Sequence, residues 1–157
     1  MDIWLLRHAA AEDRAPSGRD ADRALTPEGL ARAEAVARGL VLLRPPISRV
    51  VSSPYLRARQ TAGAAARALG LTDVSESRAL EPEAEPEEIL NELAPAGGDA
   101  LLVGHQPQLG ALLGRLIGGD GEIPLSKAGM AQVTLTGRWS GTLRAYLPPN
   151  VLELLAR

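Results

Sequence analysis

The chain has 157 residues, 45% of them apolar and 23% charged, and a net charge of −2; that is enough chain to bury about 70% of its unfolded surface around one core, and residues 1–157 read as a single domain without repeats or linkers. The charge balance excludes a broad basic field for nucleic acid, and the absence of cysteine excludes disulfides, thiolate nucleophiles and cysteine metal sites. No stretch approaches the ~20 apolar residues of a membrane span, and the apolar run before Arg7 is too short for a signal-peptide core, so no membrane association and a cytoplasmic location are expected.

Ile3 to Leu6 is an unbroken apolar run that stops at Arg7-His8, which predicts a strand buried on both faces. Ala9 to Leu25 is polar, contains Pro16 and Gly18, and reads as a long loop; loops of that length in compact domains are usually functional. Thr26-Pro27-Glu28 is a helix start with a cap, a proline at the first helical position and an acid at the positive end of the dipole. Leu30, Ala33, Ala37, Leu40 and Val41 then recur at helical spacing, and Pro45-Pro46 closes the segment. A second strand is expected over Ile47 to Ser53. A helix follows from Pro54 to Leu69, with Ser53 as its cap and Gly70 as a left-handed stop.

Leu71 to Ser75 is a weaker strand signal. The acidic segment Ala79 to Glu88 is a loop, leading to a short helix over Pro86 to Leu93. Ala100 to Val103 is a second clean buried strand, ending at Gly104-His105. A helix from Gln106-Pro107 to Ile117 and a loop from Gly121 to Gly129 come next. Met130 to Thr136 and Leu143 to Leu147 alternate as an antiparallel hairpin around Gly137 to Gly141, and Val151 to Ala156 is a terminal helix. The alternation of strands and helices predicts an α/β three-layer α/β/α sandwich, with a mostly parallel sheet and an antiparallel C-terminal hairpin.

The chain has two histidines, and each stands just beyond an apolar strand: Ile-Trp-Leu-Leu-Arg-His8 and Ala-Leu-Leu-Val-Gly-His105. If both strands are parallel members of one sheet, both imidazoles lie on its carboxyl edge, where open α/β sheets bind ligands. The plainer alternative is two strand-end histidines that hydrogen-bond locally. Ser53-Pro54-Tyr55-Leu56-Arg57-Ala58-Arg59-Gln60-Thr61-Ala62 brings a helix N-terminus to the same edge. Arg57 in the first turn is unfavourable against the dipole and calls for a compensating anion; the plainer alternative is a surface arginine paired with an acid of the nearby loops. Arg59 faces elsewhere and reads as a surface residue.

Arg-His after strand one, Ser-Pro-x-x-Arg-Ala-x-Gln-Thr after strand two and Gly-His-x-Pro after a later strand together resemble the histidine phosphatase superfamily, with its phosphoglycerate-mutase-like fold. The small size, the lack of an inserted subdomain and Lys127-Ala128-Gly129 resemble its SixA-type phosphohistidine phosphatases. The resemblance implies a metal-independent phosphatase. His8 attacks phosphorus and becomes a phosphohistidine, while Arg7, Arg57 and His105 bind the phosphoryl oxygens and His105 acts as a cation, the form favoured close to a bound phosphate. It implies no cofactor and no metal. It implies a phosphorylated substrate, most naturally a histidine-phosphorylated protein, because a fold without a cap leaves the site open. The alternatives are a phosphatase for small phosphomonoesters such as sugar or nucleoside phosphates, and an inactive phosphate-binding module; the presence of all four side chains argues against the latter.

Three departures from the family pattern bear on the site. Ala9 stands where glycine is usual, a costly choice if the backbone there needs positive φ. The glutamate that donates a proton in larger members has Glu81 as its nearest candidate, with Glu83 next; a solvated acidic loop is the plainer reading of both. The Ala9 to Leu25 loop lacks the longer recognition pattern, although Asp13, Arg14 and Ser17 are in reach of a substrate.

Overall fold

A computed structural model describes residues 1–157. Six strands form one sheet: β1 (Asp2–Arg7), β2 (Arg49–Ser52), β3 (Val74–Glu76), β4 (Ala100–Gly104), β5 (Met130–Gly137) and β6 (Ser140–Leu147). Their order across the sheet is β3-β2-β4-β1-β5-β6. β3, β2, β4 and β1 run parallel, while β5 is antiparallel to β1 and β6 to β5. The helices are α1 (Pro27–Leu42), α2 (Leu56–Leu69), α3 (Glu88–Leu93), α4 (Gln108–Leu116) and α5 (Pro149–Leu155). None is long and apolar enough to cross a membrane.

The continuous apolar character of β1 is explained by its place between β4 and β5. Trp4 and Leu6 join a core with Leu40 of α1, Ala62 of α2 and Leu152 of α5. Ile3 and Leu5, one pleat away, join a second core with Ile89 of α3 and Leu109, Leu112 and Leu113 of α4. Alternate side chains of one strand thus enter opposite cores, which makes the three-layer sandwich. Thr26 accepts the Gly29 N–H at 2.9 Å as the α1 cap, and Gly70 closes α2 at φ 72°.

Several boundaries differ from the sequence expectations, and three of the differences bear on the site or the sheet. Helix α2 begins at Leu56 with no side-chain cap, because the Ser53 hydroxyl is engaged with His105 and with the Tyr55 N–H. The third strand is displaced to Val74–Glu76, the part that pairs with β2. The hairpin turns at Arg138-Trp139, and its strands extend to Gly137 and Ser140. The register shift at Gln132/Val133, which leaves Arg144 of β6 without an opposite residue, explains why the alternation in β6 is hard to read; the shift at Leu135/Gly137 falls on Thr136 of β5.

The loop after β1 is tied down at both ends. Ala11 bridges to Leu25, and Gln60 of α2 accepts the Leu25 N–H at 2.7 Å. A single 3₁₀ turn, Asp20–Asp22, sits at its middle, with Arg23 donating to the Glu12 carbonyl at 2.9 Å. The start of α1 lies directly on this loop: a Cβ on Gly29 would overlap the Ala10 carbonyl, so glycine is required for the close approach. Gly63, mid-way along α2, has only the mobile end of Arg67 nearby.

The same substitution should therefore have opposite signs at the two glycines. Gly29→Ala is expected to destabilise by about 1–3 kcal/mol through overpacking, and Gly63→Ala to stabilise by about 0.5–1 kcal/mol through helix propensity. Urea unfolding followed by tryptophan fluorescence, with Trp4 buried in the core, measures both; equal signs would contradict the packing described.

Candidate active site

Parallel pairing of β1 with β4 sets Arg7 beside Gly104, so both chains leave the sheet at one level. His8 continues the ladder by donating its N–H to the Gly104 carbonyl at 3.0 Å. The His8 and His105 rings then lie 5.0 Å apart, centroid to centroid. β2 flanks β4 on the other side, and α2 rises from its end with Arg57 in the first turn. The expected juxtaposition of His8, His105, Arg7 and Arg57 is present. Together with Ala11, Asp13, Asp20, Arg23, Pro82, Gln106 and Lys127 they line one cleft of ≈ 270 Å³.

The floor of this cleft is buried: His8 is 7% exposed, Arg57 4% and His105 2%. His8 Nδ1 lies 2.7 Å from the Ala9 carbonyl, which can only accept, so Nδ1 carries the hydrogen. Its Nε2 consequently keeps a free electron pair, and Arg57 Nε donates to it at 3.3 Å. Arg57 NH1 donates to the Asp20 carbonyl at 2.8 Å and NH2 to the Asp20 carboxylate at 3.1 Å. Asp20 is thus the anion that the arginine at the helix start calls for, and Arg57 is buried rather than on the surface. Arg59, by contrast, is half exposed and lies 3.8 Å from Glu76.

His105 Nε2 lies 2.8 Å from the Ser53 hydroxyl, and Tyr55 stands edge-on to the ring with centroids 5.0 Å apart. Ser53 Oγ already accepts the Tyr55 N–H at 3.3 Å, which leaves the serine hydrogen free to be donated to Nε2. When it is so donated, the hydrogen of a neutral His105 sits on Nδ1. That nitrogen is buried without a partner, as are Arg7 Nε and Gln106 Oε1. Arg7 NH1 donates to the Leu125 carbonyl at 2.9 Å. Three unpaired buried polar atoms on lining residues mark a place for a polar ligand. No group of three or more His, Asp or Glu side chains is arranged to hold a metal ion.

Burial is the first cause of both histidine shifts. It pushes His8 down to about 4, opposed by the Ala9 carbonyl and reinforced by the charges of Arg57, Arg7 and Lys127. It pushes His105 down to about 3, reinforced by His8 and Arg57 and opposed by Asp20. Both rings are therefore neutral at neutral pH, and the protein by itself does not supply the cationic His105 expected from the resemblance. Desolvation of a ring enclosed by other cations is the reason.

Other expectations are also revised. Glu81 caps a 3₁₀ turn, Arg78–Leu80, within 4.0 Å of Arg78, and does not line the cleft; Pro82 of that segment does. Glu83 is on the far side of Pro82, in a neighbouring hollow. Ala9 has no positive φ, so alanine is unstrained there, and it is fully buried. The left-handed residue beside the site is Ala128 instead, at φ 60°, whose N–H reaches the Arg7 and His8 carbonyls at 3.1 and 3.2 Å. Of the loop residues, Asp13 lines the cleft, Arg14 lines an adjoining hollow, and Ser17 donates to Asp22 at 2.6 Å. Asp20, Arg23, Gln106 and the Ser53 contact were not anticipated. The only sequence signal for the first two is the opposite-charge spacing of Asp20 and Arg23, whose side chains meet at 2.7 Å.

Residues 3–84, just over half of the chain, match the family model described as histidine phosphatase superfamily (branch 1). The chain belongs to this superfamily and is a phosphatase. Along nearly its whole length it is similar to the phosphohistidine phosphatase SixA of Escherichia coli, at 29% identity over 171 residues and 98% of each chain. An uncharacterised protein of Picosynechococcus is 39% identical over 114 residues, covering 70% of this chain and 69% of the other. The solved structure of the protein histidine phosphatase SixA complexed with tungstate superposes with a TM-score of 0.88 at 27% identity, over 97% of this chain and 99% of that one. A structure assigned to SixA from Agrobacterium tumefaciens gives 0.79 at 32% identity, over 94% and 97%.

With two histidines in the chain, NMR of the imidazole resonances checks the electrostatics directly. Both rings are expected to stay in the neutral form from pH 7 to pH 5 and to take up protons only near pH 4 and pH 3. The unfolded chain takes up those protons around pH 6.5, the ordinary value. The unfolded state therefore binds more protons between the two ranges, and their contribution to stability, complete above pH 6.5, is lost as pH falls toward 4 and then 3. A ring that titrates near 6.5 in the folded protein would contradict the burial described.

Proposed function

We propose that the protein hydrolyses phosphohistidine on other proteins through a covalent intermediate on His8, without a metal ion. The observation that carries this reading is the hydrogen bond from His8 Nδ1 to the Ala9 carbonyl, which leaves Nε2 as a neutral nucleophile facing the cleft beside Arg57. Nε2 forms a bond to phosphorus as the bond to the leaving group breaks. Water then attacks the phosphorylated His8 and releases phosphate. The guanidinium groups of Arg7 and Arg57 stay charged and stabilise the equatorial oxygens, where the transition state holds its charge.

His105 contributes as a hydrogen-bond donor from Nδ1, with Ser53 holding its other nitrogen. A phosphoryl dianion beside the ring raises its proton affinity, so the bound substrate itself favours the cation. Lys127 and Arg23 add positive charge at the rim. The similarity to SixA over nearly the full chain supports a protein phosphohistidine as substrate, and so does a cleft whose rim lies on exposed loop residues with no further subdomain over it. Small phosphomonoesters are the alternative substrates.

Phosphate release from a phosphohistidine-bearing protein domain, with EDTA present, tests the proposal. Wild type is expected to release phosphate and His8→Ala to fall to background. Arg57→Ala should lose about 10²–10³-fold in kcat, the usual cost of one preorganised charge donor. Release by His8→Ala at the wild-type rate would remove the covalent mechanism. Hydrolysis of aryl phosphates alone, still dependent on His8, would move the substrate to small phosphomonoesters.

A further inference from the structure

A phosphoryl group attacked by His8 parts from its leaving group on the opposite side, and that group departs readily only if it is protonated. Besides His105, whose cationic form the bound phosphoryl group favours, the acids lining the cleft are the carboxyl groups of Asp13 and Asp20. Glu81 lies outside it, and Asp20 is engaged with two arginines: Arg23 Nε donates to one carboxylate oxygen at 2.7 Å and Arg57 NH2 to the other at 3.1 Å. Partial burial raises the Asp20 carboxyl pKa, but the hydrogen bonds and charges of Arg23 and Arg57 outweigh it and hold the group below the usual carboxylate range. An ionised carboxylate cannot donate a proton; it favours a neighbouring cation.

The position of Asp20 matters as much as its charge. His8, Arg57 and His105 form the buried floor, whereas the Asp20 side chain is 58% exposed, toward the mouth. Attack from the floor sends the leaving group toward the mouth, where it meets Asp20. One guanidinium spans the distance, with Nε on His8 Nε2 and NH2 on the carboxylate. His105, 2% exposed, lines the same cleft.

We propose that Asp20 is a specificity-determining residue, whose carboxylate accepts a hydrogen bond from the distal ring N–H of an N-phosphorylated imidazolium and so selects a leaving group that carries its own proton. The proposal rests on the phosphohistidine reading above. In the step, the Nε2 electron pair of His8 forms the new P–N bond, and the old P–N bond breaks with its electron pair returning to the leaving nitrogen. The substrate ring, protonated on its other nitrogen, leaves as neutral imidazole, and no proton moves. The Ala9 carbonyl holds the equivalent N–H of His8, so the donor and acceptor rings are supported alike. An oxygen ester has no such proton to present and meets the carboxylate only as a repelling charge.

The test compares kcat/KM for N-phosphoimidazole and for an aryl phosphate in wild type and in Asp20→Asn, which keeps the size and removes the charge. The ratio of the two is expected to fall about tenfold or more, the scale of one lost charge-assisted hydrogen bond. An unchanged ratio overturns the proposal. So does loss of both activities together with inhibition by inorganic phosphate, since Asp20 would then serve only to hold Arg57. If wild type fails on the phosphohistidine domain but the N-phosphoimidazole ratio still falls in Asp20→Asn, the protein substrate is rejected and the role of Asp20 is upheld.

Discussion

The register between β1 and β4 is the constraint on which the site depends. Leu6 pairs with Val103 and Arg7 with Gly104, so the two histidines leave the sheet side by side. A slip of one residue would turn Ile3 and Leu5 into the core now filled by Trp4 and Leu6, at the cost of both packed layers. The placement of two polar rings is therefore enforced by apolar packing a few residues upstream. β2 obeys the same logic: Ser53 donates its N–H to the Val103 carbonyl at 2.9 Å, and this brings its hydroxyl to His105.

The site gathers three of the molecule's six unpaired buried side-chain polar atoms. A guanidinium and two imidazoles are held out of water, and burying such groups is unfavourable unless partners compensate. Asp20 offsets part of the cost at Arg57, and the Ala9 carbonyl and Ser53 hydroxyl satisfy one nitrogen of each ring. Two nitrogens, Arg7 Nε and His105 Nδ1, and the acceptor Gln106 Oε1 have no protein partner. In the proposed mechanism a phosphoryl group takes up these donors, and it changes the electrostatics as it binds: a ring kept neutral by surrounding cations gains a reason to hold a proton. The protonation state of His105 thus belongs to the complex, whereas that of His8 is set by the fold through its neighbouring carbonyl.

The loop between β1 and α1 links substrate to scaffold. Its ends are pinned by the Ala11–Leu25 bridge and by the contact of Gly29 with Ala10, and its middle carries Asp20 and Arg23 to the mouth of the cleft. Ion pairs within the loop, Arg19 with Asp22 and Arg23 with Asp20, hold the 3₁₀ turn in place. A loop organised in this way presents charge at the mouth of the cleft, above the buried His8.

By itself the sequence determined the elements whose signals are local. The apolar runs of β1 and β4, the Thr26 cap, the Gly70 stop and the strand-end positions of Arg7, His8 and His105 are all legible within a few residues. Arg57 was legible as an arginine wrongly placed for its helix dipole. Only the tertiary structure decided what depends on distant neighbours. Ser53 has the local form of a helix cap, yet its hydroxyl serves a histidine 52 positions away. Glu81 is near the expected position in the chain but turns to Arg78. Asp20 stands in a loop with no periodicity, and its role comes from Arg57, 37 residues on. The neutrality of the histidines follows from burial, and burial is a property of the packed layers rather than of any segment within them.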